Sequence, residues 1–397
     1  MENQWIVHPT RDEVRDKARN GQALDSRDIF LVKSRSFVYP VEFLRKLKGP
    51  NEYDKRDIIL LFYDWCREAD EAEDGRFPIP VKRNVLSKIR FLVSEVAKRG
   101  SGESLDDLIQ GADNLPFVTR EMLYGVRAED EDARLFIEHF GNGPVLRDTH
   151  GLRQDIKDIF STYVGEMANG MSEFIERREL QNENELLTYI HYAAELFGVG
   201  LDNIIKAVDN TGLDIERGKA FARFLQLTNI ARNIKEDADA RSDYPDSRIL
   251  FLPRDWYQNL SPNELMDNGN ADAKRGRADV FTRLEALAKS SLQGSIQYMD
   301  DVPIGMTGYL GFLYGCVVPG IEIWKLMGEY GAEEVFKGNQ EAINLDRKTR
   351  ANIIKFGLGI IPSGRTVDWL RQYAVNPGNY SFNEGEYRKW SREYVYF

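Results

Sequence analysis

Residues 58–74 read IILLFYDWCREADEAED, a run that begins as core side chains and ends as concentrated negative charge. Wound as a helix, Tyr63, Arg67, Asp70 and Asp74 fall four, three and four apart, so they share one stripe with Glu73 beside them. Residues 221–237, FARFLQLTNIARNIKED, give a second stripe. There Asn229, Asn233 and Asp237 stand four apart, Arg232 and Glu236 adjoin them, and Phe221, Phe224, Leu225, Ile230 and Ile234 supply apolar surface on other sides. Either acidic run alone reads as a solvated helix end. Together they read differently, because a mostly buried helix cannot turn unmatched carboxylates inward without a large desolvation cost. Divalent cations between facing stripes would supply the match, and Mg2+ suits oxygen ligands that also bridge to substrate phosphates.

The rest of the chain has the same helical rhythm. Patterns of period 3.6 run over residues 81–98, 152–179, 184–209 and 218–240, whereas alternating β-branched runs closed by Asn-Gly or Asp-Gly turns are nearly absent. The fold class is therefore all-α. Breaks at residues 49–50, 78–80, 141–144, 211–212, 244–245, 261–262 and 362–364 carry helix-stop chemistry, and none is long enough to be a linker. One helical domain over residues 1–375 is expected, followed by an aromatic, Gly- and Asn-rich tail at 376–397. The most apolar stretch, residues 304–327, is interrupted by glycines, Pro319 and Glu322. It reads as a buried, Gly-broken helix pair, with a membrane span as the lesser alternative.

Composition narrows the partners. The net charge of −11 argues against a nucleic-acid binder, which needs a basic phosphate-facing surface. Only Cys66 and Cys316 are present, too few for a disulfide framework or thiolate metal site, so any metal must sit on oxygen. Residues 1–28 mix acids and bases without an apolar run, as expected of a cytoplasmic protein with no targeting segment.

Two acidic stripes joined by Mg2+ suit one chemistry in particular. A diphosphate repels carboxylates, but shared cations turn that repulsion into a clamp and neutralise charge on a departing diphosphate. An allylic carbocation then remains, to be kept from water and stabilised by aromatic faces.

At this point the chain resembles the squalene and phytoene synthase family, which joins two isoprenyl diphosphates head to head. The pieces recur in order over roughly residues 28–355. Residues 34–37, SRSF, look like the family's early diphosphate-holding motif, and YDWCREADEAED at 63–74 looks like its first aspartate-rich motif. NGMSEFI at 169–175 is similar to the GMAEF stretch of squalene synthases, and YIHYAAELFGVGL at 189–201 to their YCHYVAGLVG motif. LQLTNIARNIKED at 225–237 resembles the second aspartate-rich motif, with FLP at 251–253 after it. The resemblance implies a single all-α isoprenoid-synthase bundle with a deep central cavity.

The residue roles follow from it. Asp70, Glu73 and Asp74 would carry Mg2+, with Asn233, Glu236 and Asp237 on the opposite wall. Ser34, Arg35, Ser36, Arg67 and Arg232 would bind diphosphate oxygens by charge-assisted hydrogen bonds, and Asn229 would touch diphosphate or a metal-bound water. The competing readings are surface acids, and arginines paired to those same acids. Tyr63, Arg67 and Tyr189 are the catalytic candidates. Tyr189 either sits near the developing cation and relays a proton through the departing diphosphate, or is a hydrogen-bonded core tyrosine. His191 has no metal-ligand partner at suitable spacing and reads as structural.

Three departures from the family bear on the reaction. Asn233 replaces the first Asp of the second motif, which keeps an oxygen but removes a charge. Glu195 stands where the family has the Gly of VAG, and either reshapes the cavity or points outward. After VFKG at 335–338, residues 339–346 are NQEAINLD, with two acids and no base before Arg347, where squalene synthases have a basic loop that meets the nicotinamide cofactor. NADPH-dependent reduction to squalene is therefore disfavoured.

The expected activity is Mg-dependent condensation of two farnesyl-type diphosphates, farnesyl or geranylgeranyl, to presqualene diphosphate or a dehydrosqualene- or phytoene-like product. The alternatives are a terpene synthase, a lyase that cyclises one prenyl diphosphate, and a non-catalytic assembly protein. No transmembrane anchor is expected; an apolar product would leave by peripheral contact with a membrane.

Overall fold

The computed structural model describes residues 11–20, 22, 40–41, 44, 55–74, 79–100, 102–106, 108, 144–177, 179–243, 250–257, 260–346, 349–350, 352–353, 357 and 366–375. The expected tail at 376–397 and the breaks at 49–50, 244–245 and 362–364 lie outside them. The chain divides into two compact units, residues 1–169 and 170–397, with the boundary inside a helix.

The first unit contains α1 (Arg11–Arg19), α2 (Lys55–Asp74), α3 (Ile79–Lys98), α4 (Pro144–His150) and most of α5 (Gln154–Ile175). Helix α2 buries Ile59, Phe62, Trp65 and Ala69, which recur every three or four residues. It packs against α3 and α4. The ring of Phe62 tilts against Phe160 of α5 at 5.0 Å. Trp65 has to satisfy its indole N–H in this core, and it donates to Thr149 Oγ1 at 2.9 Å. The helix ends are closed by buried lysines. The Lys82 ammonium donates to the Glu73 carbonyl at the end of α2, and Lys157 donates to the Arg99 carbonyl beyond α3 at 2.7 Å. Each brings positive charge to the negative end of a helix dipole and uses an orphan carbonyl.

The second unit runs through β1 (Glu179–Leu180), α6 (Glu183–Ile190), a π-helical turn (His191–Glu195), α7 (Leu196–Asp209), α8 (Ile215–Asp243) and β2 (Leu250–Pro253). It continues through α9 (Pro262–Leu265), α10 (Ala271–Asp300), α11 (Thr307–Tyr330), α12 (Ala332–Phe336), α13 (Gln340–Ile343) and α14 (Thr366–Val375). A short parallel pairing of β1 with β2 is the only sheet among the described residues. Local chemistry sets the helix starts. Asn182 accepts from the Glu185 amide, Asn270 from two amides of α10, and Ser261 forms a capping box with Glu264. Helix α7 stops at Asn210, whose φ of 52° is left-handed.

Helix α8 is the hub of this unit, touching α7, the π turn, α10, α11 and β2. It buries Phe221, Phe224, Leu227, Ile230, Ala231 and Ile234. On α7, Gly198 lets the two backbones meet. A Cβ there would lie 2.9 Å from the Gly218 carbonyl oxygen and 3.1 Å from the Ala222 Cβ.

The expected break in residues 304–327 does not occur; the region forms a short 3-10 turn and then one unbroken helix, α11. Pro319 lacks an N–H and its ring opposes the Gly315 carbonyl, which argues for a break. Residues 308–318 are buried except at position 310, and this all-round packing outweighs the local penalty. Gly320 contributes, since a Cβ there would lie 2.7 Å from the Phe224 ring. Among the described residues α11 is the one helix long and apolar enough to cross a membrane, and 67% of its apolar window is buried inside the protein.

One buried acid is unusual. Asp202 of α7 is 3% exposed; its Oδ1 accepts from the Tyr298 hydroxyl and, at 3.5 Å, from Tyr309, and those hydroxyls lie 2.6 Å apart. Burial pushes its carboxyl up to about 8, with the Asp214 charge adding to the rise and the Tyr309 hydrogen bond opposing it. The folded chain therefore keeps a proton that the unfolded chain loses near pH 3.8. The stability this supplies is complete at low pH and is lost as pH rises through about 8.

Two outcomes test this packing. Asp202→Asn should gain melting temperature relative to the native chain as pH is raised from about 5 to about 9, and a constant difference would contradict a protonated Asp202. Gly198→Ala must force α7 off α8 and should lower the unfolding free energy by about 1–3 kcal/mol in urea titrations.

Candidate active site

On α2, Tyr63, Arg67 and Asp70 are half-buried, and Arg67 Nη1 lies 3.5 Å from Asp70 Oδ2. Glu73 is buried at 7% exposure, as are Asp64 and Glu68. Glu68 and Glu73 are therefore sunk into their unit rather than spread over solvent. Asp74 ends the helix, but its side chain, like Ser34, Arg35 and Ser36, lies outside the described residues. Burial, with the Asp70 charge beside it, pushes the Cys66 thiol well up, so it is no nucleophile.

On α8, Arg232 organises the polar face. Its Nε donates to Asn233 Oδ1 at 3.2 Å and its Nη2 to Asn229 Oδ1 at 3.3 Å. One guanidinium thus gathers both amide oxygens of the second stripe. Asn233 and Asp237 are half-buried, and Asn229 and Glu236 are exposed. The Arg232 guanidinium is lowered from its usual range, first by burial and then by the positive charge of Arg350, with Glu236 acting in the opposite direction. Arg350, an exposed residue from a later segment, thus brings a second positive charge to the Arg232 side of this acidic helix, an arrangement that an anion would stabilise. Arg350 was not singled out from sequence; the available signal was the basic cluster Arg347, Lys348 and Arg350 after the acidic loop.

Tyr189 is 3% exposed and stacks on Phe251 at 4.3 Å, with the edge of Phe174 at 5.6 Å. It is thus embedded in an aromatic cluster. Glu195 points inward and is 4% exposed. Its Oε2 lies 3.1 Å from His191 Nδ1, and its Oε1 lies 2.6 Å from both Nε and Nη2 of Arg223. Burial alone would raise this carboxyl; the His191 hydrogen bond and the Arg223 guanidinium outweigh it and hold the group below its ordinary range. Arg223 carried no sequence signal, because its partner lies 28 positions away.

Residues 34–313 match the family described as squalene/phytoene synthase. The chain belongs to this family. Within it, the chain is 27% identical over 230 residues to a squalene synthase of Cyberlindnera jadinii, covering 55% of this chain and 44% of the relative. It is 26% identical over 207 residues to a 15-cis-phytoene synthase of Paracoccus sp. (strain N81106 / MBIC 01143), covering 51% and 52%. Matches of this kind span about half the length of the relatives. Two solved structures share the all-α isoprenoid-synthase fold. A complex of TcSQS with the ligand BPH1237 gives a TM-score of 0.59 at 19% identity, covering 92% of this chain and 94% of that one. A dehydrosqualene synthase complex gives 0.53 at 14%, covering 89% and 99%.

For a squalene/phytoene synthase, the acids present fit magnesium better than a preformed metal cage. Among the described residues no three His, Cys, Asp or Glu side chains converge. In the first unit α2 offers Asp70 and Glu73; in the second, taken by itself, α8 offers Glu236 and Asp237 with the Asn233 amide. Mg2+ uses one or two carboxylates and completes its shell with water and substrate phosphate, so each of these short donor sets suits an ion that arrives with its diphosphate.

The arginine pair predicts its own ligand. Inorganic diphosphate should bind the native chain, and Arg350→Ala should weaken it about tenfold by calorimetry, the size of one lost charge-assisted contact.

Proposed function

We propose that this protein is a Mg-dependent prenyltransferase that ionises a farnesyl-type diphosphate and condenses two molecules head to head. The observation that carries the reading is Arg232 on the acidic face of α8, holding Asn229 and Asn233 and lying within the field of the Arg350 charge, an arrangement that a diphosphate makes favourable. Residues 1–375 would form the catalytic domain, working in the cytoplasm.

Asp70, Glu73 and Asp74, with Asn233, Glu236 and Asp237, would hold Mg2+, which supplies neutralising charge to the leaving diphosphate. Arg67 and Arg232 would grip its oxygens as planar forks, helped by Asn229, Ser34, Arg35 and Ser36. Tyr63 would border the first motif. The faces of Tyr189, Phe251 and Phe174 would stabilise the allylic cation by roughly 0.5–2 kcal/mol each and keep water away.

The product would be presqualene diphosphate or a dehydrosqualene- or phytoene-like polyene, not squalene. The loop that would meet NADPH phosphates is otherwise employed: Asn339 caps α13, and Glu334 holds Lys337 and Asn339. A second reading, cyclisation of one prenyl diphosphate by a lyase, draws on Asn233, whose oxygen is taken by Arg232 and which brings one charge fewer.

Purified protein with Mg2+ and farnesyl or geranylgeranyl diphosphate, with and without NADPH, should yield a C30 or C40 product by mass spectrometry. A C15 or C20 product would select the lyase. Asp70→Ala and Asp74→Ala should abolish turnover while keeping the native circular dichroism; activity surviving in both would remove the metal assignment.

A further inference from the structure

The cluster of His191, Glu195 and Arg223 lies outside the set of residues proposed above to bind diphosphate, yet its geometry is that of a prepared base. Glu195 is a carboxylate and can only accept, so the 3.1 Å contact requires the hydrogen on His191 Nδ1. Neutral imidazole then has Nε2 as its lone-pair nitrogen. Arg223 holds Glu195 from the other side through two nitrogens at 2.6 Å, fixing the carboxylate that fixes the ring. A carboxylate orienting a histidine in this way is how hydrolases prepare a general base.

Position supports a chemical role. The five residues from His191 to Glu195 form a π turn, a rare geometry that recurs at functional sites. The imidazole is not sealed in, because its side chain is 33% exposed. It also ends a continuous run of rings. His191 lies 5.3 Å from Tyr192, Tyr192 lies 6.3 Å from Phe174, Phe174 lies 5.6 Å from Tyr189, and Tyr189 lies 4.3 Å from Phe251. The last three of these rings are the faces that would meet the carbocation.

We propose that His191 is the base that ends the reaction, with Glu195 and Arg223 as its positioning residues. The inference rests on the head-to-head reading and deepens it. When the second diphosphate leaves with its bonding electrons, the joined chain is a cation short of two electrons. A C–H bond next to the cationic carbon breaks, its electron pair forms a carbon–carbon double bond, and the proton passes to His191 Nε2. No hydride donor is required, and the product is a polyene one double bond richer than the reduced hydrocarbon. His191 thereby takes a catalytic part that its sequence position alone did not suggest.

The test measures polyene formed per diphosphate released, with products identified by mass spectrometry. In His191→Gln and Glu195→Gln that ratio should fall at least about tenfold, with alcohols from water capture of the cation in place of polyene. Glu195→Asp should restore part of the ratio, which a purely structural role would not do. An unchanged ratio in a folded His191→Gln overturns the proposal, and if that variant does not fold, an unchanged ratio in Glu195→Gln does so. A native product that retains its second diphosphate also overturns it. Failure of the native chain to release any diphosphate would instead overturn the underlying head-to-head reading, and this inference with it.

Discussion

A guanidinium taken out of water must find its match nearby, and Arg232 finds only part of it. Two amide oxygens of its own helix accept from it and Glu236 offers a negative charge, while Arg350 adds a second positive one. This arginine sits on the helix that most of the second unit packs around. Helix α8 can hold this polar face only because Phe221, Phe224, Leu227, Ile230 and Ile234 are buried on its other sides. Packing therefore fixes the backbone that holds this polar face.

The first unit solves the opposite problem. Its α2 helix carries buried acids at its C-terminal end, where the helix dipole is already negative. The Lys82 ammonium, itself 1% exposed, closes that end on the Glu73 carbonyl. Without such a cation the helix would fray where its acidic residues need a fixed spacing. Arg67, one turn earlier, draws Asp70 along the same helix.

Much of this was legible in the sequence, and the reason is range. The spacing in α2, α3, α5 and α8 follows from neighbours three and four apart, so helix positions and stripes could be read directly. Contacts set by distant residues could not. Glu195 left two orientations open because its partner Arg223 belongs to another helix, and Arg350 lies 118 positions from Arg232. Helix α11 went further: its glycines and Pro319 argue locally for a break, and only the side chains packed around it keep the helix whole. Asp202 was hidden for the same reason, as an acid inside an apolar helix whose two tyrosine partners come from residues about a hundred positions away.

Cys66 and Cys316 are free and buried, and burial pushes both thiols up, Cys66 further under the Asp70 charge. One lies in each unit. Neither is reactive while its helix is closed, so a thiol-modifying reagent would reach each only during opening of its surroundings. The chain thus carries an intrinsic two-channel clock, in which separate labelling rates at the two sulfurs time the breathing of each half without any added probe.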